Sequence, residues 1–295
     1  MTAAAAGAPR EGVVRAMPAV FVLIWSTGFV VARLGMPHAP PFGFLAWRFA
    51  LSVPAFVVWA TLARARWPER PLQWLHLAAT GVLMHAGYLG GVWSAVKGGM
   101  GAGMAALLVG LQPVLTALWS SARGGRSVSP RQWAGLALGL AGLLLVVWDK
   151  LGVGEAGPAN LALALFALVS ITAGTLYQKR FVAACDVRTA NAIQLGAALV
   201  VCLPIALLEP GRMDWQRDLW IALGWSVFGL TLGGSSLLYL LIQRGAATRV
   251  TSLMYLVPPC TALLAWLLFD EPLGGLVLAG FALTAVGVGL VVRAR

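Results

Sequence analysis

Two ionisable side chains, those of Arg48 and His85, lie well inside long apolar stretches of this sequence. Ionisable groups are costly in an apolar environment, so they usually mark a ligand site, a proton path or a buried pair. The guanidinium of Arg48 has the chemistry to bind a carboxylate, although a structural arginine that extends to the interface or bonds carbonyl groups explains it too. The imidazole of His85 has the chemistry to hydrogen-bond a substrate or carry a proton, and the alternative is a neutral histidine held by a neighbouring helix. Both alternatives stay open at the level of sequence.

Aromatic, amide and hydroxyl side chains accompany these two residues in the apolar stretches. Tyr88 follows His85 by about one helical turn, so the two share a helix face. The other candidates of this kind are Trp25, Gln112, Gln194, Tyr177, Tyr239, Ser252 and Tyr255. Together they predict an amphipathic, aromatic-lined chamber for a substrate with a ring and a few polar groups. Each of them alone is also explained by a hydrogen bond between helices, the commoner role of polar side chains in membrane bundles.

The residue sets that other chemistries require are missing from the sequence. It holds no nucleophile with its base and no His-Glu-x-x-His spacing, so an enzyme, a metal and a cofactor are not expected. The three cysteines have no metal-ligand spacing, and the glycine-rich run at residues 98–103 follows no strand that would make it a phosphate loop. Because no acid lies deep in an apolar stretch, we expect facilitated efflux or proton exchange through His85.

The elements that position these residues are membrane-spanning helices. The chain has 295 residues, of which 60% are hydrophobic and only 11% charged, and this composition nearly excludes a soluble globular protein. Stretches that approach the roughly 20 apolar residues of a bilayer crossing occur ten times. They run over residues 17–36, 42–62, 72–96, 102–122, 132–148, 160–181, 189–208, 219–243, 250–269 and 274–292. The sequence therefore predicts an all-α integral membrane protein with ten transmembrane helices.

The net charge of +11 is sorted by loop rather than gathered into a patch. Of the 21 Lys and Arg residues, 15 fall in the tails and alternate loops of one side and 5 on the other side, while Arg48 lies within a helix. Because cytoplasmic loops carry the excess of basic residues, both termini are predicted to be cytoplasmic. The expected partners are a lipid bilayer and a small-molecule substrate. A nucleic acid is not expected, because the basic residues form no run or face.

The chain contains an internal repeat with an offset of 145 residues, at which two successive apolar stretches match without a gap. Each half holds five predicted spans. An odd number gives the two halves opposite orientations, the inverted duplication that underlies alternating access in many transporters. The offset also aligns Pro113 with Pro258. Since proline removes a helix hydrogen bond, these two residues are predicted hinges in the middle of their helices.

This repeat divides the chain into four predicted parts. They are a cytoplasmic tail at residues 1–16, a first five-helix repeat at 17–148, an external linker at 149–159 and a second five-helix repeat at 160–295. The last span of each repeat carries glycines at the spacing of close helix contacts. These glycines are Gly135, Gly139, Gly142, Gly280, Gly287 and Gly289. We therefore expect spans five and ten to form a scaffold or interface, with the other eight around the cavity.

Together these features resemble the drug/metabolite transporter superfamily with paired EamA-type domains. The resemblance rests on residues 23–30, on the stretch 113–147 with its partner 258–292, on Glu271 before the last span and on Arg48. It implies a multi-pass protein of the bacterial inner membrane and a secondary transporter that exports small amphipathic metabolites, especially aromatic and hydrophobic amino acids. Since the family carries an arginine at this position for many substrates, the resemblance favours a structural role for Arg48.

Two points of this resemblance leave room for alternatives. A transporter of lipids, drugs or other metabolites with the same fold, including an importer, remains possible because the motifs specify fold more than substrate. The first half also departs from the family pattern, because Arg126 stands where the second half has Glu271. A shared role for that acid is therefore not implied in the first half. A monomer is the expected oligomeric state.

Overall fold

The computed structural model describes residues 11–122, 129–151, 156–234, 237 and 256–293, and within these ranges it contains helices and no strand. The α-helices are α1 Glu11–Gly35, α2 Pro41–Leu62, α3 Pro71–Gly81, α4 Tyr88–Lys97, α5 Ala102–Val109, α6 Gln112–Ala122, α7 Pro130–Leu151, α8 Pro158–Phe181, α9 Val187–Leu208, α10 Arg217–Gly224, α11 Val257–Phe269 and α12 Gly275–Arg293. Two π-helical segments follow α3 and α10, and they are π1 Val82–Gly87 and π2 Trp225–Gly234. A short 3₁₀ helix, Met36–His38, follows α1.

The helix bounds follow the apolar stretches of the sequence closely. α2 begins one residue before the predicted stretch 42–62, and α8 begins two residues before the predicted stretch 160–181. Proline opens several helices, because its fixed φ suits the first turn and its missing N–H is not needed there. These first-turn prolines are Pro41, Pro71, Pro130 and Pro158.

Five helices are each long and apolar enough to cross a bilayer. They lie at Ala19–His38, Pro41–Leu62, Pro130–Asp149, Pro158–Phe181 and Val187–Leu208. The other described helices are shorter pieces, several of which continue one another through a π-helical segment or a turn. The chain is thus an all-helical membrane protein, whereas the number of ten crossings and the orientation of the termini stay predictions.

The third and eighth predicted spans depart from regular α-helix in the same way. Each begins as an α-helix and then passes into a π-helical segment, π1 in the first half and π2 in the second. We call the residue 145 positions away in the other half a repeat partner. The repeat partners of π1 are residues 227–232, all within π2. Hydrophobic periodicity does not reveal π-helix, yet such segments occur often at functional sites.

Contacts between the two halves come in equivalent pairs. α1 packs against α10 and π2, and its counterpart α8 packs against α3 and π1. α1 also packs against α11, just as α8 packs against α5 and α6. The pairs α2–α9 and α7–α12 each join a helix to its own counterpart. This pattern is what a two-fold relation between the repeats requires.

The predicted scaffold pair, α7 and α12, forms the most extensive helix contact among the described elements. Gly142 lies against the backbone of Gly280, and Gly287 lies against the backbone of Gly139. A Cβ at Gly142, Gly280 or Gly287 would collide with main-chain atoms, so close backbone approach depends on these glycines. Gly289 faces open space instead. The prediction of a helix contact is therefore wrong for Gly289.

Pro113 stands at the start of a helix rather than in the middle of one. α5 ends at Val109 and α6 begins at Gln112, so Pro113 follows the end of α5 and is the second residue of α6. The prediction of a proline inside a continuous helix is wrong here for that reason. Pro258 is likewise the second residue of α11. Its ring lies against Gly110, where an added Cβ would come within 2.9 Å of the proline Cγ. The break between α5 and α6 therefore touches the first turn of α11.

Two glutamates stabilise helix starts at the end of the bundle that the charge pattern places outside. Glu209 accepts hydrogen bonds of 2.9 and 3.1 Å from backbone N–H groups in the first turn of α2. Burial raises the pKa of the Glu209 carboxyl above its ordinary value, while these hydrogen bonds and Lys97 act in the opposite direction. Glu271 accepts a 3.1 Å hydrogen bond from the first N–H of α5 and lies 3.7 Å from the guanidinium of Arg33.

Candidate functional site

A buried polar cluster forms where α2 meets π2. Arg48 is 8% exposed, and its Nε and Nη2 atoms donate hydrogen bonds of 3.2 and 3.1 Å to the hydroxyl oxygen of Thr231. The Thr231 hydroxyl in turn donates to the carbonyl oxygen of Ser226 at 2.7 Å, five residues back in π2. Within the described part of the chain, Nη1 of Arg48 makes no hydrogen bond and the buried hydroxyl of Ser226 has no partner. Donor capacity thus remains for a further acceptor.

His85 and Tyr88 extend this cluster from π1 and α4. The His85 ring meets the ring of Phe49 edge-on, with 6.2 Å between centroids, and its side chain lies near that of Gln194. His85 and Tyr88 both lie within electrostatic reach of Arg48. His85 is half-buried, whereas Tyr88 is 7% exposed. The structure therefore brings His85 and Tyr88, which the sequence predicted on one helix face, close to Arg48.

The arginine of this cluster has no charged counterpart in the other half of the repeat. The repeat partners of Arg48 and Thr231 are Ile193 and Ala86, and the repeat partner of His85 is Leu230. Ile193 and Ala86 are both buried. The equivalent junction, between α9 and π1, contains Gln194 and His85 but no arginine, so only one half places a permanent charge there. Since the fold does not require the charge, its cost favours a ligand-binding role for Arg48.

Trp25 and Gln112 lie on other helices of the bundle. Trp25 packs against Phe21 with 5.3 Å between ring centroids, and it faces Gly234 at the end of π2. Gln112 donates a 2.9 Å hydrogen bond from Nε2 to the hydroxyl oxygen of Thr175, which joins α6 to α8. Trp25 thus borders the same π-helical segment as Arg48, while Gln112 has a partner of its own.

Tyr177 belongs to a second aromatic cluster, between the ends of α3 and α8 that carry cytoplasmic-side charges. Its hydroxyl oxygen lies 2.8 Å from Nδ1 of His76, and its ring lies 4.8 Å from that of Phe181. The rings of His76 and Phe181 are stacked at 5.3 Å. The structure therefore does not bring Tyr177 to Arg48, and sequence reasoning missed its partner His76.

Three further candidates, Tyr239, Ser252 and Tyr255, lie outside the described residues. Sequence reasoning also missed Thr231 and Ser226 as partners of the central arginine. The two are five residues apart, a spacing that faces one side of a π-helix but not of an α-helix. No signal short of recognising the π-helix would have grouped them with Arg48.

Comparison with known proteins identifies the family. The sequence profile of the EamA-like transporter family matches twice, over residues 16–148 and 159–293. The chain belongs to the EamA-like transporter family. This match confirms two EamA repeats and places the chain in the drug/metabolite transporter superfamily, as the sequence predicted.

The relatives of this EamA protein agree with that assignment along almost the whole chain. A protein of Escherichia coli K12 named "probable amino-acid metabolite efflux pump" is 27% identical over 277 residues, covering 90% of each chain. The inner membrane transporter YedA of the same organism is 28% identical and covers 90% of this chain and 84% of its own. One crystal structure, 22% identical, matches the fold with a TM-score of 0.64 over 93% of this chain and 95% of the other.

These findings define the class of protein. The chain is a transporter and not an enzyme, and it is a multi-pass protein of the bacterial inner membrane. Among the described residues no group of His, Cys, Asp and Glu side chains has the arrangement of a metal site.

Proposed function

We propose that this EamA protein exports small amphipathic metabolites, above all aromatic and hydrophobic amino acids, by alternating access of two inverted five-helix halves. The observation that carries the proposal is the cluster of Arg48, His85 and Tyr88, whose buried arginine has the apolar Ile193 as its repeat partner. Arg48 binds the substrate carboxylate, and Thr231 holds its guanidinium in place. His85 hydrogen-bonds the polar end of the substrate, and Tyr88 and Trp25 contact its ring.

Two likenesses support this choice of substrate. A relative at 27% identity is named an amino-acid metabolite efflux pump, and it aligns over 90% of this chain. The segment from Trp25 to Gly28 in α1 also resembles the corresponding segment of the aromatic amino-acid exporter YddG. An amino acid with a large apolar side chain presents a carboxylate and a ring or aliphatic group, which is what the cluster of Arg48 and Tyr88 is suited to bind.

The proposed transport cycle uses the repeat. The halves at residues 17–148 and 160–295 are proposed to have opposite orientations, with the tail at 1–16 and the C-terminus in the cytoplasm and the linker 149–159 outside. Exchange of conformation between inverted halves opens the site to each side in turn. Pro113 and Pro258 act as hinges at the junction of α5, α6 and α11, where the Pro258 ring lies against Gly110.

The remaining candidate residues fall into two groups, one in the proposed chamber and one in contacts between helices. We retain Tyr239, Ser252 and Tyr255 as members of the proposed chamber. Gln112 and Tyr177 are assigned to contacts of α8 with its neighbours, because each has a hydrogen-bond partner there. The chamber proposed for the substrate therefore centres on α2, π1, π2 and α1.

The deciding experiment measures flux with the purified protein in proteoliposomes. Radiolabelled phenylalanine and tryptophan are followed with and without a pH gradient, and empty vesicles serve as the control. We expect saturable flux of both amino acids. If His85 carries a proton, the pH gradient accelerates flux in the parent and not in His85→Ala.

Other results would change the proposal in defined ways. Vesicles without saturable flux of either amino acid would overturn the substrate class and favour a lipid, drug or other metabolite as the cargo. Normal flux by His85→Ala at several pH values would remove His85 from the site. Net uptake by intact cells that express the protein, where efflux is expected, would identify an importer.

A further inference from the structure

A cavity of about 690 Å³ lies between the loop that joins α2 to α3 and the loop that joins α8 to α9. The charge pattern places both loops on the cytoplasmic side. Residues 63–70, Gln73, 184–186 and Arg188 line the cavity. The charged side chains among them are Arg64, Arg66, Glu69, Arg70, Asp186 and Arg188. Four basic groups therefore face two acidic ones, and none of these residues belongs to the proposed substrate site.

One acid and one base of the cavity neutralise each other. The Asp186 carboxylate accepts a 2.9 Å hydrogen bond from Nε of Arg188 and a 2.6 Å hydrogen bond from Nη2. This pairing lowers the pKa of Asp186. Arg64, Arg66 and Arg70 remain, and within the described part of the chain none of the three takes part in an ion pair. The lining thus carries an excess of positive charge available to an anion.

Arg64 occupies a position where glycine is the usual residue. Its φ is 50°, in the left-handed region. The Ala65 N–H donates to the Ala60 carbonyl at 2.8 Å and the Arg64 N–H donates to the Thr61 carbonyl at 3.0 Å, the hydrogen-bond pattern that ends a helix at a left-handed residue. An arginine is strained there and a glycine is not. The charge rule for membrane orientation requires basic residues in this loop but not at a particular position. A strained arginine at position 64 therefore indicates that its guanidinium is needed at this place.

An apolar surface adjoins the basic cavity. Leu62, Leu72 and Leu75 are 80%, 61% and 62% exposed. Trp74 stacks on Trp67 of the cavity wall with 5.6 Å between ring centroids. Charge and exposed aliphatic side chains meet here within a few residues. That combination suits an amphipathic anion better than a freely soluble one.

The fold itself does not require arginines at this junction. The equivalent junction in the other half joins the loop after α1 to the loop after α9. There the Asp214 N–H donates a 2.8 Å hydrogen bond to the carbonyl of His38, which ties the two loops together. The repeat partners of His38 and Asp214 are Ala183 and Glu69, beside or within the cavity. The repeat partners of Arg64, Arg66 and Arg70 are Glu209, Gly211 and Trp215, so the three arginines have no basic counterparts there.

We propose that this cavity binds the phosphate-bearing headgroup of an anionic membrane phospholipid. Arg64, Arg66 and Arg70 donate charge-assisted hydrogen bonds to the phosphate oxygens, and the acyl chains lie along the exposed leucines. Basic pockets at the cytoplasmic ends of membrane helices are suited to such headgroups. Inorganic phosphate offers the same oxygens but no group for the leucine surface, so the lipid fits the cavity better.

The test uses the purified full-length chain and native mass spectrometry. Phosphatidylglycerol and phosphatidylethanolamine with identical acyl chains are titrated separately, and inorganic phosphate and glycerol phosphate are added as soluble competitors. The cavity variant combines Arg64→Gly, Arg66→Gln and Arg70→Gln. The matched control combines Arg131→Gln, Lys179→Gln and Arg180→Gln, which removes the same charge from the same predicted side outside the cavity.

We expect the parent to retain phosphatidylglycerol at least about 10-fold more tightly than phosphatidylethanolamine, a ratio typical of one charge-assisted contact. The cavity variant loses that preference, and the control keeps it within about two-fold. Equal retention of both lipids by the parent would overturn the proposal. So would an equal loss of preference in both variants, or displacement of the lipid by millimolar phosphate. Arg64→Gly alone relieves backbone strain, so a loss of binding in that stable variant separates recognition from folding.

Discussion

At the scale of single residues, Arg48 is the group whose removal best tests what the site recognises. If its guanidinium binds the substrate carboxylate, Arg48→Gln lowers phenylalanine flux in proteoliposomes by about 10- to 100-fold, since a hydrogen bond to a charged group contributes about 1.5–3 kcal/mol. Phenethylamine, which lacks the carboxylate, is affected much less. Equal losses for the two compounds would instead indicate a structural arginine.

Thr231 provides the matched variants for that test. Thr231→Ser keeps the hydroxyl that accepts from Arg48 at 3.1 and 3.2 Å, so its flux stays near that of the parent. Thr231→Val removes this acceptor and leaves a buried guanidinium without its partner. We expect KM for phenylalanine to rise more than kcat falls, because the variant misplaces a binding group. A fall in kcat at constant KM would contradict this role.

Glu209 gives a prediction about stability and pH. Because burial raises its pKa in the folded protein, the neutral form contributes stability that is lost as pH rises from its ordinary value of 4.5 through the raised value. Glu209→Gln stays neutral and keeps an acceptor for the N–H groups of α2, so it is at least as stable as the parent at pH 7. Glu209→Ala loses the cap and about 1 kcal/mol. Thermal unfolding from pH 4.5 to 7.5 checks both, and equal destabilisation by the two variants would refute the assignment.

At the same scale, the sequence identified the key residues but not their partners. Arg48 and His85 are conspicuous because they interrupt apolar stretches. Thr231 is not, since a threonine in a membrane helix is common and its partner is set by helix packing. The separation of Tyr177 from the central cluster likewise depends on which neighbour the far end of α8 meets.

At the scale of helices, the contact between Gly110 and Pro258 is the place to test the hinge. Gly110→Ala puts a Cβ within 2.9 Å of the Pro258 ring, so we expect this variant to lose flux. Gly196→Ala is the control, because an added Cβ there meets nothing within 4 Å. Flux in proteoliposomes and Tm are measured together. Gly110→Ala that lowers Tm and flux in proportion would indicate packing rather than motion.

The double substitution of the two prolines tests the same hinge from the other direction. Pro113 and Pro258 both stand in the first turn of a helix, where a proline N–H is not missed. Replacing them with alanine therefore costs little stability but lets the broken helices straighten. We expect Pro113→Ala with Pro258→Ala to lose transport more than fold. Undiminished flux would rule out these residues as hinges.

The course of the helices was more predictable than their internal geometry. Apolar length gives the bounds of α2 and α8 to within two residues. The length of an apolar stretch does not reveal that a helix is interrupted at Gly110. It also does not distinguish an α-helix from the π-helical segments π1 and π2. These local forms depend on where neighbouring backbones approach, as Gly81 does beside the backbone of Gln194.

At the scale of the whole molecule, the two repeats carry opposite charges at equivalent places. Arg64 has Glu209 as its repeat partner, and Arg126 has Glu271. Glu209 and Glu271 accept backbone hydrogen bonds at helix starts on the predicted outer side. Arg126, where the first half departs from the family pattern, therefore resembles Arg64: each is a basic residue on the predicted cytoplasmic side whose repeat partner is an acid on the predicted outer side. The repeat makes these positions equivalent, but the charge rule for membrane orientation selects a base at one and an acid at the other. This difference is expected if equivalent loops face opposite sides of the membrane.

The opposite charges of equivalent loops lead to a direct test of the inverted topology. Glu69 and Asp214 are exposed repeat partners in equivalent loops. Each is changed to cysteine in a background where Cys185, Cys202 and Cys260 are alanine. In intact cells a membrane-impermeant maleimide should label Asp214→Cys at once and Glu69→Cys only after permeabilisation, because 15 of the 21 basic residues assign the loop of Glu69 to the cytoplasm. Labelling of both from one side would show parallel repeats and would remove the symmetry that alternating access requires. Labelling with the sides exchanged would keep the inverted repeat but reverse its orientation, and with it the assignment of the arginine-rich cavity to the cytoplasmic leaflet.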